Sequence, residues 1–404
     1  MSWNVVLNKF VEIKQKAAQK CPDIWDYDPA AQTCLEYWIS VLGDEKYAEL
    51  LPFLVLTEYG DLMLIKYGSF ADLAQSELLR EKGENPLEVF WDIEDGFFRE
   101  CRSLVINIRK DELVLTPFRK FRNLNESEET SYEAVSERIR RASCVEFSNK
   151  LDGSMQSARY YDGRIVMAGS QALDRGNSWR LDDGYNMMMS NPGCQKMLMD
   201  HPDETFIFEY ISRRDAHVVK YDKEGLFLVG MRDVNTGAES SYREVLECAG
   251  KYGVLTTEVY DKTLDQVVGE LDSKLSSEAE GFVLNIDGFK VKIKYNDYVS
   301  MHKLLEKFSS INVIIQSIAD DRFDDLLSKV PEAYRDRILR VAEYVFDYIR
   351  ETNRRIDEAY ESAPREDRKQ FMVWVEKNVR YDIRGFVRAK YLGKPYNVIK
   401  KQTG

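Results

Sequence analysis

Lys150 stands in the stretch Asn149-Lys150-Leu151-Asp152-Gly153-Ser154, between two runs of strand-forming residues. Such a lysine is either a strand end before an Asp-Gly turn or a nucleophile. An amine attacks only when unprotonated. Free lysine titrates at about 10.4, so a nucleophilic Lys150 needs surroundings that depress its pKa, as neighbouring cations and partial burial do. The stretch Phe289-Lys290-Val291-Lys292-Ile293-Lys294 offers the cations. On a strand, side chains alternate faces, so the three lysines share one face and Phe289, Val291 and Ile293 the other. That face is a solvated edge that discourages aggregation, or it is turned to an anion, in which case Lys290, nearest the turn, is expected to be the solvated member of the row. A lysine nucleophile beside a row of lysines points to attack on phosphorus, where cations neutralise the charge that builds on the oxygens.

Two carboxylates fall between these stretches. Glu209 interrupts the apolar and aromatic run "TFIFEYI", and Glu280 precedes the strand-like "GFVLNI". A glutamate inside an apolar strand is costly unless it is paired, coordinated or at the strand's end; the plainer reading of each is a partly exposed edge carboxylate. Upstream, Arg102 opens the run "RSLVINI", and Arg119, Lys120 and Arg122 are packed among Pro117, Phe118 and Phe121. Alone these are a solvated basic loop. Beside a nucleotide they form a phosphate clamp, since arginine binds phosphate in fork geometry.

The elements that must position these groups are legible in outline. A chain of 404 residues exceeds one usual core and predicts two domains with a small extension. Residues 1–55 read as a mostly helical N-terminal extension. Residues 56–300 carry short β-rich runs separated by turn signals, with helical stretches at 181–201 and 263–272, which predicts an α+β domain. Asp287-Gly288 between two alternating runs predicts a hairpin with a type I′ turn. Residues 301–404 read as an all-helical C-terminal domain. There Tyr334, Ile338, Val341, Val345, Ile349, Ile356 and Tyr360 form one stripe of a long amphipathic helix, Pro364 interrupts, and Phe371, Trp374 and Val375 begin another. The tail is basic, with Arg388, Lys390, Lys394, Lys400 and Lys401.

Composition narrows the chemistry. The six cysteines are scattered without a CxxC pair, which predicts reduced thiols, a cytoplasmic protein and no structural zinc. Three histidines make histidine-based metal or triad chemistry a poor fit. The net charge of −12 argues against a generally basic nucleic-acid binder but leaves room for a local basic groove. No apolar run is long enough to span a membrane, and residues 1–20 read as an amphipathic helix, not a signal peptide.

Lys-x-Asp-Gly is the signature of the covalent nucleotidyltransferases. The ordered set "ECRS", "PFRKFRNLNE", "KLDGS", "FEYI", "LVGMRDVNTG", "EGFV" and "KIKYNDYVSMH" resembles the ATP-dependent RNA ligases of the phage tRNA-repair type, over roughly residues 56–310. The resemblance implies a nucleotidyltransferase domain of antiparallel sheets with helices, ATP and Mg²⁺ (or Mn²⁺ in its place), and joining of RNA 5′-phosphate and 3′-hydroxyl ends. It implies that Lys150 becomes adenylylated and that Asp152 and Gly153 of the same motif lie at the nucleotide. By the same resemblance Arg102 and Lys120 hold the outer phosphates, Glu209 binds the ribose, and Glu280 is tied to the metal. Lys292 and Lys294 grip the α-phosphate. Arg232, in the "LVGMRD" stretch between the Glu209 and Glu280 motifs, and Tyr298, which matches a tyrosine that follows the lysine pair, are expected to bind the nucleotide as well.

Three places depart from the family pattern. Lys120-Phe121-Arg122-Asn123 stands where the family often has Lys-Phe-Phe-Asn, Ala168-Gly169-Ser170 lacks a basic residue before Gly-Ser, and Ala216-His217-Val218-Val219 replaces Asn-Arg-Ile-Val. The expected partner is RNA, a broken tRNA among the candidates. With no GxxxxGK[ST] loop in the chain, a separate kinase or phosphatase is expected to heal the ends. Two alternatives stay open at this point. One is a DNA ligase or capping enzyme, whose last motif is followed by an OB barrel; the other is a non-catalytic RNA-binding adaptor on a ligase fold.

Overall fold

The computed structural model describes residues 2–68, 90–176, 178–215, 217–328, 330 and 332–399, without the side chains of 94, 304–309, 332–334 and 337. Ala216, Lys400, Lys401 and the side chain of Tyr334 therefore lie outside the described residues. Contacts divide the chain into two compact units, Met1–Tyr298 and Val299–Gly404.

The described residues of the first unit hold three four-stranded antiparallel sheets. One has the order β1-β2-β3-β4: Leu54–Tyr59, Leu62–Tyr67, Arg102–Asn107 and Glu112–Leu115. Helices α1 (Val5–Lys20) and α2 (Cys34–Leu42) bury Phe10, Ile13 and Trp38 in one core with Met63, Ile65, Leu104 and Ile106 of this sheet. The Asn4 side chain caps α1, and Thr33 with Glu36 forms a capping box on α2. Strand β1 runs across residue 55, where the sequence suggests a boundary.

The other two sheets share the segment that carries Lys150. β5 (Val145–Lys150) lies in the sheet ordered β10-β5-β11-β12, with β10 Val259–Tyr260, β11 Gly281–Ile286 and β12 Phe289–Lys294. β6 (Ser154–Tyr161) lies in the sheet ordered β7-β6-β8-β9, with β7 Arg164–Gly169, β8 Glu204–Ile211 and β9 Gly225–Asp233. Asp287 and Gly288 have φ of 48° and 89°, so both turn residues are left-handed as a type I′ hairpin requires. The Asp287 carboxylate accepts the amides of Ser143 (2.9 Å) and Cys144 (2.8 Å), tying the hairpin tip to the entry of β5.

Between strands, α3 (Glu45–Ala48), α4 (Phe97–Glu100), α5 (Tyr132–Arg141), α6 (Trp179–Ser190), α7 (Pro192–Asp200), α8 (Tyr242–Tyr252) and α9 (Leu264–Gly269) complete the unit with α10 (Asn296–Ser309), which begins there. The expected helix over 181–201 is two, because Asn191 caps a new helix whose first residue is Pro192.

The described part of the second unit is helical: α11 (Ile311–Ala319), α12 (Phe323–Ser328), α13 (Glu332–Ser362), α14 (Arg368–Asn378) and α15 (Tyr381–Tyr391). Ile338 and Ile356 of the stripe on α13 are fully buried, with Val341, Val345, Ile349 and Tyr360 packed around them. Phe371 of α14 stacks on Tyr391 of α15 with centroids 4.0 Å apart. No strand is present among the described residues after 300, so the OB barrel of the DNA ligase reading has no counterpart there.

Candidate active site

Strand register builds the centre of the site. Gly281 of β11 lies opposite Lys150 of β5 on one side and Lys294 of β12 on the other. A Cβ on Gly281 would sit 2.1 Å from the Ile293 carbonyl oxygen, so only glycine permits this close approach. The preceding residue, Glu280, is 3% exposed and takes both lysines: Lys150 Nζ donates to Oε2 at 2.6 Å, and Lys294 Nζ lies 2.9 Å from Oε1. Burial raises the Glu280 pKa, but the two lysines outweigh it and hold Glu280 below the usual carboxylate range.

The same carboxylates change what Lys150 is. Burial favours the neutral amine, yet Glu280 and Glu209 overcome it and raise Lys150 above the ordinary lysine value. The expected depressed pKa is thus overturned: Lys150 is a charged partner of Glu280. The depressed lysines are its neighbours. Burial lowers Lys292 well below the usual value, helped by Arg102, Lys120, Lys150 and Lys294. Burial and Arg102 lower Lys120 to about 8. Arg102 (5.5 Å) and Lys292 (4.7 Å) both lie over the Phe121 ring, and Arg102 Nη1 is buried with no hydrogen-bond partner among the described residues. Like charges crowded in this way fit an anion with several oxygens, such as a nucleoside triphosphate.

Lys290 corrects the expected pattern of the strand. It is not the solvated member of the row: it is 6% exposed and ion-paired with Glu239. The β12 edge is covered too, since Lys292 donates its amide to the Arg122 carbonyl (3.0 Å) and accepts that of Leu124 (2.8 Å).

Glu209 of β8 accepts the amide of Gly153 at 3.0 Å. A Cβ on Gly153 would meet the Tyr210 carbonyl oxygen at 2.5 Å, so this glycine lets the Lys150 loop lie against β8. Burial pushes Glu209 up to about 7, with Glu280 adding and Lys150 opposing. Because the folded value lies above the unfolded one of about 4.3, ionising Glu209 costs stability as pH rises from near 4.5 through 7. Glu209→Gln is expected to stabilise the ligand-free protein at pH 8 by on the order of 3 kcal/mol, and to leave its stability little changed at pH 4. Thermal denaturation at the two pH values checks this; equal shifts at both contradict it.

Both carboxylate oxygens of Asp152 are engaged within the protein. Its Oδ2 accepts the amides of Val218 (2.8 Å) and Val219 (3.0 Å), and its Oδ1 accepts the Tyr298 hydroxyl (2.9 Å). Asp152 and Tyr298 therefore brace the Lys150 loop, and burial keeps the phenol of Tyr298 protonated by raising its pKa. Arg232 is the residue the structure sets apart. Its guanidinium is 4% exposed and committed to both Glu100 oxygens (2.8 and 3.1 Å), the Pro117 carbonyl and the Gly237 carbonyl. Four of its five N–H donors are committed in this way, which gives it a structural place.

A network absent from the sequence reading lies behind the loop. The Asp215 carboxylate accepts the Ser154 hydroxyl (2.7 Å), pairs with Arg180 (2.8 Å) and faces His217 Nε2 (3.0 Å). His217 Nδ1 is 3.6 Å from Asp152. Burial alone would lower His217, but Asp215 and Asp152 raise it. No local spacing signals the contacts of Asp215 with Ser154 and of His217 with Asp152, which join residues more than sixty positions apart.

Residues 100–298 match the family model described as RNA ligase, of the T4 type. This region belongs to the RNA ligase family. The ligase region holds Lys150, Arg102, Lys120, Glu209, Glu280, Lys292 and Lys294 alike. A protein of Thermovibrio ammonificans provisionally named an RNA ligase is 24% identical over 287 residues, 67% of this chain and 72% of that one. A protein of Autographa californica nuclear polyhedrosis virus, provisionally named a bifunctional polynucleotide kinase/RNA ligase, is 23% identical over 297 residues, and the match covers 38% of its length. The Naegleria gruberi RNA ligase solved with pyrophosphate aligns at 18% identity and a TM-score of 0.35, over 42% of this chain and 55% of that one. A point mutant of the same enzyme has been solved with ATP and Mn.

Proposed function

We propose that the protein is an ATP-dependent RNA ligase that joins 5′-phosphate and 3′-hydroxyl ends through a lysyl-AMP intermediate. The observation that carries this reading is the cation cluster of Arg102, Lys120 and Lys292 beside Lys150, whose crowding and burial a bound anion would relieve.

In the first step neutral Lys150 attacks the α-phosphorus of ATP, the N–P bond forms and pyrophosphate leaves. Lys292 and Lys294 neutralise the oxygens of the α-phosphate, while Arg102 and Lys120 hold the outer phosphates. Glu280 is too weak a base to keep the Lys150 proton, so that proton goes to solvent. Glu209 serves the ribose. AMP then passes to the RNA 5′-phosphate, and a 3′-hydroxyl attacks the activated phosphate to release AMP. Among the described residues no group of three or more possible ligands could hold a metal. Glu280 is the carboxylate that would hold Mg²⁺ or Mn²⁺ together with the substrate phosphates, and the ion would add charge neutralisation. Sealing of a 5′-phosphorylated RNA with ATP and a divalent ion tests the reading; no sealing of RNA, or equal sealing of DNA, overturns it.

The non-catalytic adaptor is disfavoured by the intact set of Lys150, Glu209, Glu280, Lys292 and Lys294. We further assign RNA selection to the helical region 301–404, with broken tRNA as a candidate substrate and end healing left to a separate enzyme. The basic tail supports this less than its sequence suggests: Arg388 pairs with Glu376 and Lys390 with Asp357, leaving Lys394 exposed among the described tail residues. A chain ending near residue 305 is expected to keep lysine adenylylation but lose its preference for a cleaved stem-loop over a linear RNA. An unchanged substrate ratio in a folded truncation makes the region packing only.

A further inference from the structure

The basic loop around Phe121 sends its cations to two places. Lys120 joins Arg102 and Lys292, as described. Arg122 and Arg119 turn instead to a cavity of about 240 Å³, lined also by Arg99, Lys120, Glu129 and Lys290. That is below the ~300–1,000 Å³ of a pocket for a drug-sized ligand and suits a phosphate group better than a nucleoside.

The acids of this cavity are already engaged. Glu129 pairs with Arg99 at 2.9 Å, and Glu239 with Lys290. Arg122 is held more loosely: its Nε forms an ion pair with Glu129 at 4.0 Å, beyond hydrogen-bond reach. It is 7% exposed, and its Nη2 is buried with no hydrogen-bond partner among the described residues. Arg119 is half exposed, and its contact at 3.7 Å is to Glu100, whose two oxygens already take Arg232. A buried guanidinium N–H without an acceptor is unfavourable unless a ligand supplies one. The residue is also where the chain departs from the Lys-Phe-Phe-Asn pattern: an apolar ring would fill the space without demanding an acceptor.

We propose that this cavity binds a backbone phosphodiester of the RNA substrate, with Arg122 as its buried fork donor and Arg119 at its rim. Lys120 and Phe121 line both this cavity and the nucleotide cluster, so the bound phosphate lies next to the joining chemistry. The proposal rests on the ligase reading.

The test compares wild type with Arg122→Gln in the full chain, using a 5′-phosphorylated stem-loop RNA as probe. Binding is measured over a range of salt, and lysine labelling by ATP is measured without RNA. Arg122→Gln is expected to weaken RNA binding about tenfold and to reduce the salt slope by about one, while the KM for ATP in labelling does not move. Unchanged RNA affinity and slope overturn the proposal. A raised KM for ATP with unchanged RNA binding also overturns it, since the anion is then the nucleotide's own phosphate. If Arg122→Gln fails to fold, Arg119→Gln at the exposed rim decides: a shallower salt slope supports the site and an unchanged one refutes it. Absence of labelling in the wild type would instead refute the ligase reading, whatever the RNA affinities.

Discussion

Lys150→Ala is expected to abolish covalent transfer of AMP from ATP to the protein, with no label above background. Joining of ordinary 5′-phosphate ends should fail with it, a loss of more than about a thousandfold. The variant should still seal RNA that already carries a 5′-adenylyl group, because that last step does not pass through Lys150. The fold should survive, since Glu280 keeps Lys294 at 2.9 Å when Lys150 is gone. Labelling and sealing assays on the one variant check all of this. Retained labelling removes Lys150 from its role; loss of both activities in a folded protein would mean that the lysine also positions the RNA end.

The lysine row gives the second large effect, and it separates by position. Lys292 is held among Arg102, Lys120, Lys150 and Lys294, with its pKa pushed down by burial first and then by those charges. A lysine whose folded pKa is depressed destabilises the fold as pH falls through the range between the folded and unfolded values. Lys292→Met should therefore raise the melting temperature of the ligand-free protein, most at low pH. The same change should slow adenylylation by about ten- to a hundredfold or more, as loss of a charge-assisted phosphate contact worth roughly 1.5–3 kcal/mol implies. Lys290→Ala should do the reverse. It strands Glu239, which is nearly as buried as the lysine, at a cost of about 3–5 kcal/mol. Its labelling rate, measured well below its melting temperature, should change far less than that of Lys292→Met. Equal and mild effects at both positions would remove Lys292 from the phosphate contact.

These assignments show what local sequence carries and what it does not. The hairpin was legible because a type I′ turn needs two left-handed residues and Asp287-Gly288 supplies them. The strands flanking Lys150 were legible from alternation and from the turn residues that bound them. Helix α8 has a readable start, Ser241 with Glu244 in a capping box, but its eleven residues leave only a short apolar stripe to read. β10 spans two residues and exists through its pairing with β5, so nothing local could announce it. Long-range pairing was the larger gap. Glu239 neutralises Lys290 from 51 positions away, and Glu100 neutralises Arg232 from 132. Without those partners the first lysine reads as solvated and the arginine as a nucleotide ligand. Likewise the charge state of Lys150 depends on Glu280, which only strand register brings beside it. Residue types were visible in the chain; which charges cancel was not.

The most direct measurement is the mass of the Lys150 peptide after incubation with ATP and Mg²⁺ but without RNA. The account predicts one added AMP on that peptide, located on the side chain of Lys150, and its removal on addition of pyrophosphate or of 5′-phosphorylated RNA. An unmodified Lys150 in folded, ATP-exposed protein, or AMP carried on another residue, would contradict it.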